Sequence, residues 1–324
     1  MSVTKTGWTA FSAALLLAGS AWAQETVRVG VVQGLSGPPA IVDFGESYLQ
    51  GLRLAHKDYE ASGAATQIEL VVYDDEANPQ RAVSVVQRLV QNDGVSAVVG
   101  TVSSGNVLAF APILQRAEIP LIAGPSIATN ITAQFIDESP SYIFRCSMVE
   151  KYQIDAMLDW ASENFKKVGL VHSTTGYGNI AAEEIRNGMV ARGRELAAIE
   201  AAAPGVSDLT PQMIRMRDAG AEVVFNFHES FELLYRPMAR LDYRPVVAGN
   251  WGLSSLKVEE IVGREALEGT VMGQALDLSD PKAQAFDERM RAEYGADYRW
   301  PVVAALGYDA GQIMFKAVNE VGRA

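Results

Sequence analysis

Short, nearly continuous apolar runs alternate along this chain with longer segments whose apolar positions recur at helical spacing. The first run, Val27-Arg28-Val29-Gly30-Val31-Val32, reads as a strand buried on both faces, as in a parallel sheet. A Gly- and Pro-rich loop at 34–39 leads into a helix with Phe44, Tyr48, Leu52, Ala55 and Tyr59 on one face and Asp43 as its expected N-cap. Residues 68–73 form the next predicted strand. Asp74-Asp75-Glu76 at its tip is expected to be solvated or to cap the helix that Asn78-Pro79 opens. Strand 95–100, helix 106–117 and strand 119–123 follow, and 142–145 reads as a strand where the chain crosses to a second half.

There the pattern restarts. Helix 151–164, strand 167–172, a loop at 173–178, helix 179–191 and strand 196–201 come first. A helix start at Ser207-Asp208-Leu209-Thr210-Pro211, strand 221–227, helix 229–241 and strand 245–248 continue it. Strand 269–273 is a candidate return crossing, and 281–294 and 301–321 are helical by period. Strands alternating with amphipathic helices give an α/β fold of mainly parallel sheets covered on both faces. No low-complexity linker separates the halves, which favours two Rossmann-like lobes joined by a multi-strand hinge. The expected division is 24–145 plus 274–324 for one lobe and 146–273 for the other.

The N-terminus departs from this pattern. Lys5, a short apolar stretch at 11–18 and Ala21-Trp22-Ala23 form an export signal cleaved before Gln24. The apolar stretch is well short of the ~20 residues that span a bilayer. A single cysteine, Cys146, leaves an exported chain with no internal disulfide. A net charge of −12, from 39 acidic and 27 basic residues, argues against nucleic acid as a partner.

The most suggestive chemistry lies at Val98-Val99-Gly100-Thr101-Val102-Ser103-Ser104-Gly105-Asn106, a strand tip turning into a helix. Free N–H groups, the positive end of the helix dipole and the Ser103 and Ser104 hydroxyls converge there, a combination suited to a small carboxylate. Gly124-Pro125-Ser126 with Ala128-Thr129 is a second hydroxyl-bearing loop on the neighbouring strand, and both reach the crevice beyond the strand ends. Other chemistries fit poorly. Gly176-Tyr177-Gly178-Asn179-Ile180-Ala181 matches a dinucleotide fingerprint but starts too far past its strand, so it reads as a loop projecting Tyr177 over a cleft. Three histidines exclude most multi-histidine metal sites. His56 is expected on a solvated face and His172 in a structural role, while His228-Glu229 at a strand tip is a candidate polar contact. Ser103-Ser104 lacks the Gly-x-Ser-x-Gly spacing of a hydrolase nucleophile. No cofactor or metal is called for. The rivals are a secreted α/β hydrolase or oxidoreductase, and a ligand-sensing receptor domain.

Several of these segments occur together in family order. They are Val31-Val32 with Gly34-Leu35-Ser36-Gly37-Pro38, Tyr73-Asp74-Asp75 with Asn78-Pro79 and Ala82, and Val98-Val99-Gly100 with Ser103-Ser104. Ile119-Pro120 with Pro125-Ser126, Val171-His172 with Tyr177-Gly178, and Gly307-Tyr308-Asp309-Ala310 complete the set. The ordered set resembles the solute-binding proteins of the branched-chain amino-acid class, which deliver small molecules to ABC importers. The resemblance implies a type I periplasmic binding fold, monomeric, whose lobes close on a ligand and present it to a membrane permease. It implies that Ser104 donates to a ligand carboxylate, with Ser126, Ala128 and Thr129 adding contacts. It also implies that Tyr177 closes over from the second lobe and that Phe44 packs on the ligand tail. The family's usual acid for a ligand ammonium falls in Gly249-Asn250-Trp251-Gly252, where this chain has Asn250 and Trp251. Either Glu229 supplies that charge or the ligand is an aromatic or aliphatic acid without an ammonium. The family pattern also continues beyond Ala324 with strands that recross the hinge.

Overall fold

A computed structural model describes residues 26–321. The expected export signal and its cleavage before Gln24 lie outside the described residues. Two five-stranded sheets, every strand parallel to its neighbours, organise the molecule. The first contains β1 (Thr26–Gln33), β2 (Gln67–Asp74), β3 (Ala97–Gly100), β4 (Leu121–Ala123) and β5 (Ile143–Arg145) in the order β2-β1-β3-β4-β5. The second contains β6 (Val168–Ser173), β7 (Ala198–Ala202), β8 (Val223–Phe227), β9 (Val246–Gly249) and β10 (Val271–Met272) in the order β10-β9-β8-β6-β7. Counted from its own first strand, each sheet has the same order. Each therefore has a switch point, between β1 and β3 in the first sheet and between β6 and β8 in the second. Ligands in such sheets bind beyond the carboxyl ends of the strands at that point.

The helices of the first half are α1 (Pro39–Ala61), α2 (Pro79–Arg88), α3 (Ser104–Arg116) and the short α4 (Asn130–Ala133). Those that follow are α5 (Glu150–Asn164), α6 (Gly176–Ala191), α7 (Thr210–Ala219), α8 (Arg236–Arg240), α9 (Leu256–Val262), α10 (Arg264–Leu267), α11 (Pro281–Tyr294) and α12 (Pro301–Val321). The chain crosses between sheets after β5 and returns after β10. Both strands pair within one sheet and close its edge, so neither is the crossing strand the pattern suggested. α12 comes back to pack along α1 with backbone almost touching backbone. A Cβ on Gly51 would sit 1.8 Å from the Ala304 carbonyl oxygen, and one on Gly307 would sit 2.1 Å from that of Tyr48. Two apolar cores result, one on each face, and each runs through both halves. One joins Tyr48, Leu52 and Phe315 to Phe231 and Trp251. The other joins Phe110 and Leu114 to Ile154, Ile185 and Phe225.

Local structure departs from the sequence pattern at points that matter for the site. α1 begins at Pro39, where a missing N–H costs nothing, so Asp43 lies inside the helix and is buried rather than capping it. Asp75 is also buried, its carboxylate accepting from Thr101 Oγ1 at 2.7 Å and the Ala77 N–H at 2.9 Å. α3 begins at Ser104, two residues earlier than the periodicity suggests, with Ser103 at its N-cap. The helix expected at 229–241 is a 3-10 turn at Phe231–Leu234 followed by α8, because Pro237 has no N–H to carry the ladder through. His56 is no solvated residue. Its Nε2 lies 2.9 Å from the Ile68 carbonyl and its ring meets Phe315 edge-on.

Candidate ligand-binding cleft

The two switch points face each other across a cleft lined by residues of both halves, with little free space left between its walls. From the first half, Ile41, Phe44, Val102, Ser103, Ser104, Pro125, Ser126 and Ile127 line it. From the second come Tyr177, Glu229, Phe231, Asn250 and Trp251.

Ser104 is the best-defined polar group on the first side. Its Oγ accepts from the Ile127 and Ala128 N–H groups, each at 3.2 Å. With both lone pairs occupied, the hydroxyl has its proton left to offer a ligand. Beside it Ser103 makes no side-chain capping bond to α3, and the buried Ser126 Oγ has no partner. The loop is braced from below. Gln33 Oε1 accepts from the Val102 N–H at 3.1 Å, and Asp75 holds Thr101. Burial raises the Asp75 pKa against its hydrogen bonds from Asn106 and Thr101. Arg145 clamps the other loop, donating to the Ile127 carbonyl at 3.1 Å and the Ala128 carbonyl at 2.7 Å.

Across the cavity, Glu229 follows β8. One of its carboxylate oxygens accepts from Ser173 Oγ at 3.0 Å and Thr175 Oγ1 at 2.7 Å, both residues beyond the end of β6. The other oxygen, Oε2, is buried without a partner. The carboxylate is thus fixed at one end and open at the other, as a site for a cation requires. Tyr177 is not on a loop but in the first turn of α6, whose N-cap Thr175 accepts from the Gly178 N–H. A Cβ on Gly178 would lie 2.3 Å from the Ser173 carbonyl oxygen, so the glycine serves close packing against β6 and not loop freedom. The Tyr177 hydroxyl accepts a short hydrogen bond from Asn250 Nδ2, and Asn250 Oδ1 accepts from the Gly252 N–H at 2.7 Å. Burial lifts the Tyr177 pKa well above its ordinary value, keeping the phenol neutral.

Aromatic rings meet across the cleft. Phe44 stacks on Trp251 across the cleft at 5.9 Å between centroids, and Trp300 packs on Phe44 at 4.0 Å.

Three expected site residues lie outside the cavity lining. Ala128 has its N–H bound to Ser104 and its carbonyl to Arg145. Thr129 Oγ1 accepts from the Lys151 N–H at 3.3 Å, facing α5. His228 is fully buried, Nδ1 accepting from the Ser230 N–H at 3.1 Å and Nε2 lying 3.3 Å from the Ala203 carbonyl, a bracing role. Sequence reasoning missed Ile41, Val102, Ile127 and Phe231. Val102 and Ile127 belong to the two hydroxyl-bearing loops, where only the polar groups stand out in the sequence, and Phe231 falls in the segment expected as one helix. Among the described residues no group of three or more His, Cys, Asp or Glu side chains could hold a metal ion.

The sequence matches the family model described as periplasmic binding protein over residues 26–324. The chain belongs to that family. A relative of this periplasmic binding protein, Leu/Ile/Val-binding protein homolog 3 of Brucella melitensis, is 26% identical over 291 residues, 88% of this chain and 76% of that one. The branched-chain amino acid transporter substrate binding protein of Streptococcus pneumoniae, solved in complex with isoleucine, superposes with a TM-score of 0.79 at 23% identity. The match covers 92% of this chain and 85% of that chain. A solute binding protein of an ABC transporter from Rhodopseudomonas palustris, solved with 3,4-dihydroxy benzoic acid, gives a TM-score of 0.77 at 25% identity, covering 92% and 81%. The two-lobed fold expected from the sequence is the fold of these proteins.

Proposed function

We propose that this chain is the exported, non-enzymatic substrate-binding component of an ABC importer and that it captures a zwitterionic α-amino acid. In this reading the leader is removed before Gln24. Residues 24–145 with 274–324 move as one lobe against 146–273, and the monomer delivers its ligand to a membrane permease. The ligand carboxylate takes the Ser104 proton at the start of α3, with Ser103 and Ser126 beside it. The ammonium meets Glu229 Oε2, and the side chain lies among Phe44, Phe231 and Trp251.

The observation that carries this reading is the unpartnered, buried Oε2 of Glu229. An anionic oxygen buried without a partner is costly, and a ligand cation relieves that cost when the cleft closes. The carboxylate end agrees with it, since Ser104 has only a donor to give. Dihydroxybenzoic acid in a structural neighbour and the aromatic lining favour a second reading, an aromatic carboxylate with no ammonium. Ligand capture with hinge closure needs no nucleophile, and none of the cavity hydroxyls has a histidine base against it. Mass spectrometry of the small molecules released on denaturing the purified protein tests the main reading. An amino acid is expected, and a hydroxybenzoate in its place would select the second.

A further inference from the structure

Behind the cavity lies Glu150, the first residue of α5, which lines no part of the ligand site yet is completely buried. Its position joins the two halves of that site. The Glu150 N–H donates to the Ile127 carbonyl at 2.9 Å, and the N–H of that same Ile127 donates to Ser104 Oγ. The Glu150 side chain points the other way, into the second half. There the Tyr177 hydroxyl and the Asn250 amide favour its charged form, yet both of its oxygens are buried without a hydrogen-bond partner. Tyr177 and Asn250 are cavity-lining residues.

We propose that Glu150 is a positioning residue for ligand capture, tying the carboxylate loop at Ser104 to the Tyr177–Asn250 pair, and that closing the cleft takes up a proton at its carboxyl. This rests on the ligand-capture reading above.

The charged and titratable groups around Glu150 set the sign. Burial, the largest cause, and Glu184 on α6 push its pKa up, to about 8 in all. The nearby Tyr177 hydroxyl, Asn250 amide and Arg145 guanidinium oppose them. Glu229 acts on the same network through Tyr177. In the closed cleft the carboxyl therefore holds its proton at neutral pH. On this proposal, opening parts the Ile127 carbonyl from the Glu150 N–H and admits water, which returns the group toward an ordinary carboxylate. A group with a raised pKa in the closed form favours closure fully below its open-form pKa, and that contribution is lost as pH rises through about 8. Affinity should therefore weaken with rising pH.

Two measurements on the full chain test this. The first is calorimetric titration from pH 6 to pH 8 with L-leucine, or with the best stabiliser among the common amino acids if leucine is silent. Affinity of the wild type is expected to fall with pH, by at most about tenfold per unit for one proton. Glu150→Gln, which keeps the shape of the protonated acid, is expected to bind with an affinity that stays flat over the same range. The second is small-angle scattering of the ligand-free protein, expected to be more compact at pH 6 than at pH 8 in the wild type and indifferent to pH in Glu150→Gln. The wild-type profiles decide even if the variant fails to fold. Flat wild-type scattering, or a variant that keeps the wild-type pH dependence, overturns the proposal. If no amino acid binds at any pH, the functional reading fails while the scattering still decides the role of Glu150.

Discussion

Ser255 donates to Asp43 Oδ2 at 2.9 Å across the cleft, joining the N-cap of α9 in the second half to the interior of α1 in the first. Arg299 stands 3.2 Å from the other Asp43 oxygen and forms a short ion pair with Glu260 on α9. Asp43 is buried, so removing its cation leaves a charge with only the Ser255 hydroxyl as partner in the closed form. Arg299→Leu is expected to shift the protein toward the open form and weaken ligand affinity by about tenfold, or ~1.4 kcal/mol. Titration calorimetry checks this, and unchanged affinity would show that the contact does not hold the lobes together.

Ser104→Ala removes the donor at the carboxylate end and strips the Ile127 and Ala128 N–H groups of their shared acceptor. A hydrogen bond to a charged group contributes ~1.5–3 kcal/mol, so affinity should fall by roughly ten- to a hundredfold. The unligated protein should also melt at a lower temperature, because two buried amides lose their partner. Wild-type affinity in this variant would move the anion site elsewhere.

Gly307→Ala places a methyl group 2.1 Å from the Tyr48 carbonyl oxygen in the α1–α12 contact. The helices must separate, at a cost of about 1–3 kcal/mol typical of overpacking. Urea unfolding should show a reduced midpoint with a similar slope. A midpoint matching the wild type would mean the helices do not seat as described.

Cys146 is mostly buried, and its thiol is pushed up to about 12 by burial and by the nearby Asp309 charge. Thiolate is the reactive form, so the folded protein should resist thiol reagents at pH 8 and react promptly once unfolded. Rapid native labelling would contradict this placement.

Much of the fold can be read from the sequence because parallel strands buried on both faces leave apolar runs, as in β1, β3 and β8. The Ser103-Ser104 anion site is legible for a related reason: a β-branched strand, a glycine and two hydroxyls before a helix are all local in sequence. The second half of the site is less so. Glu229 was visible beside His228, but nothing local shows that the carboxylate faces the cavity while the imidazole braces Ser230 and Ala203. Asp43 read as a cap because its partner Ser255 lies far along the chain. Glu150 gave no signal, since an acid at a helix start is ordinary and its burial depends on three other segments. Tyr177 was found for a reason the structure corrects, its flanking Gly178 marking close packing rather than a loop.

The central claim is that Glu229 receives a ligand ammonium opposite the Ser104 hydroxyl. Thermal shifts of the wild type and Glu229→Gln with L-leucine and with isocaproate, its deaminated analogue, test it most directly, because stabilisation follows affinity for the folded state. Gln retains an oxygen for Ser173 and Thr175 while losing the charge. Leucine, or the amino acid that co-purifies, is expected to stabilise the wild type far more than the matching deaminated acid, and the substitution should abolish that difference. A deaminated or aromatic acid that stabilises the wild type better than any amino acid, with Glu229→Gln unaffected, would contradict it.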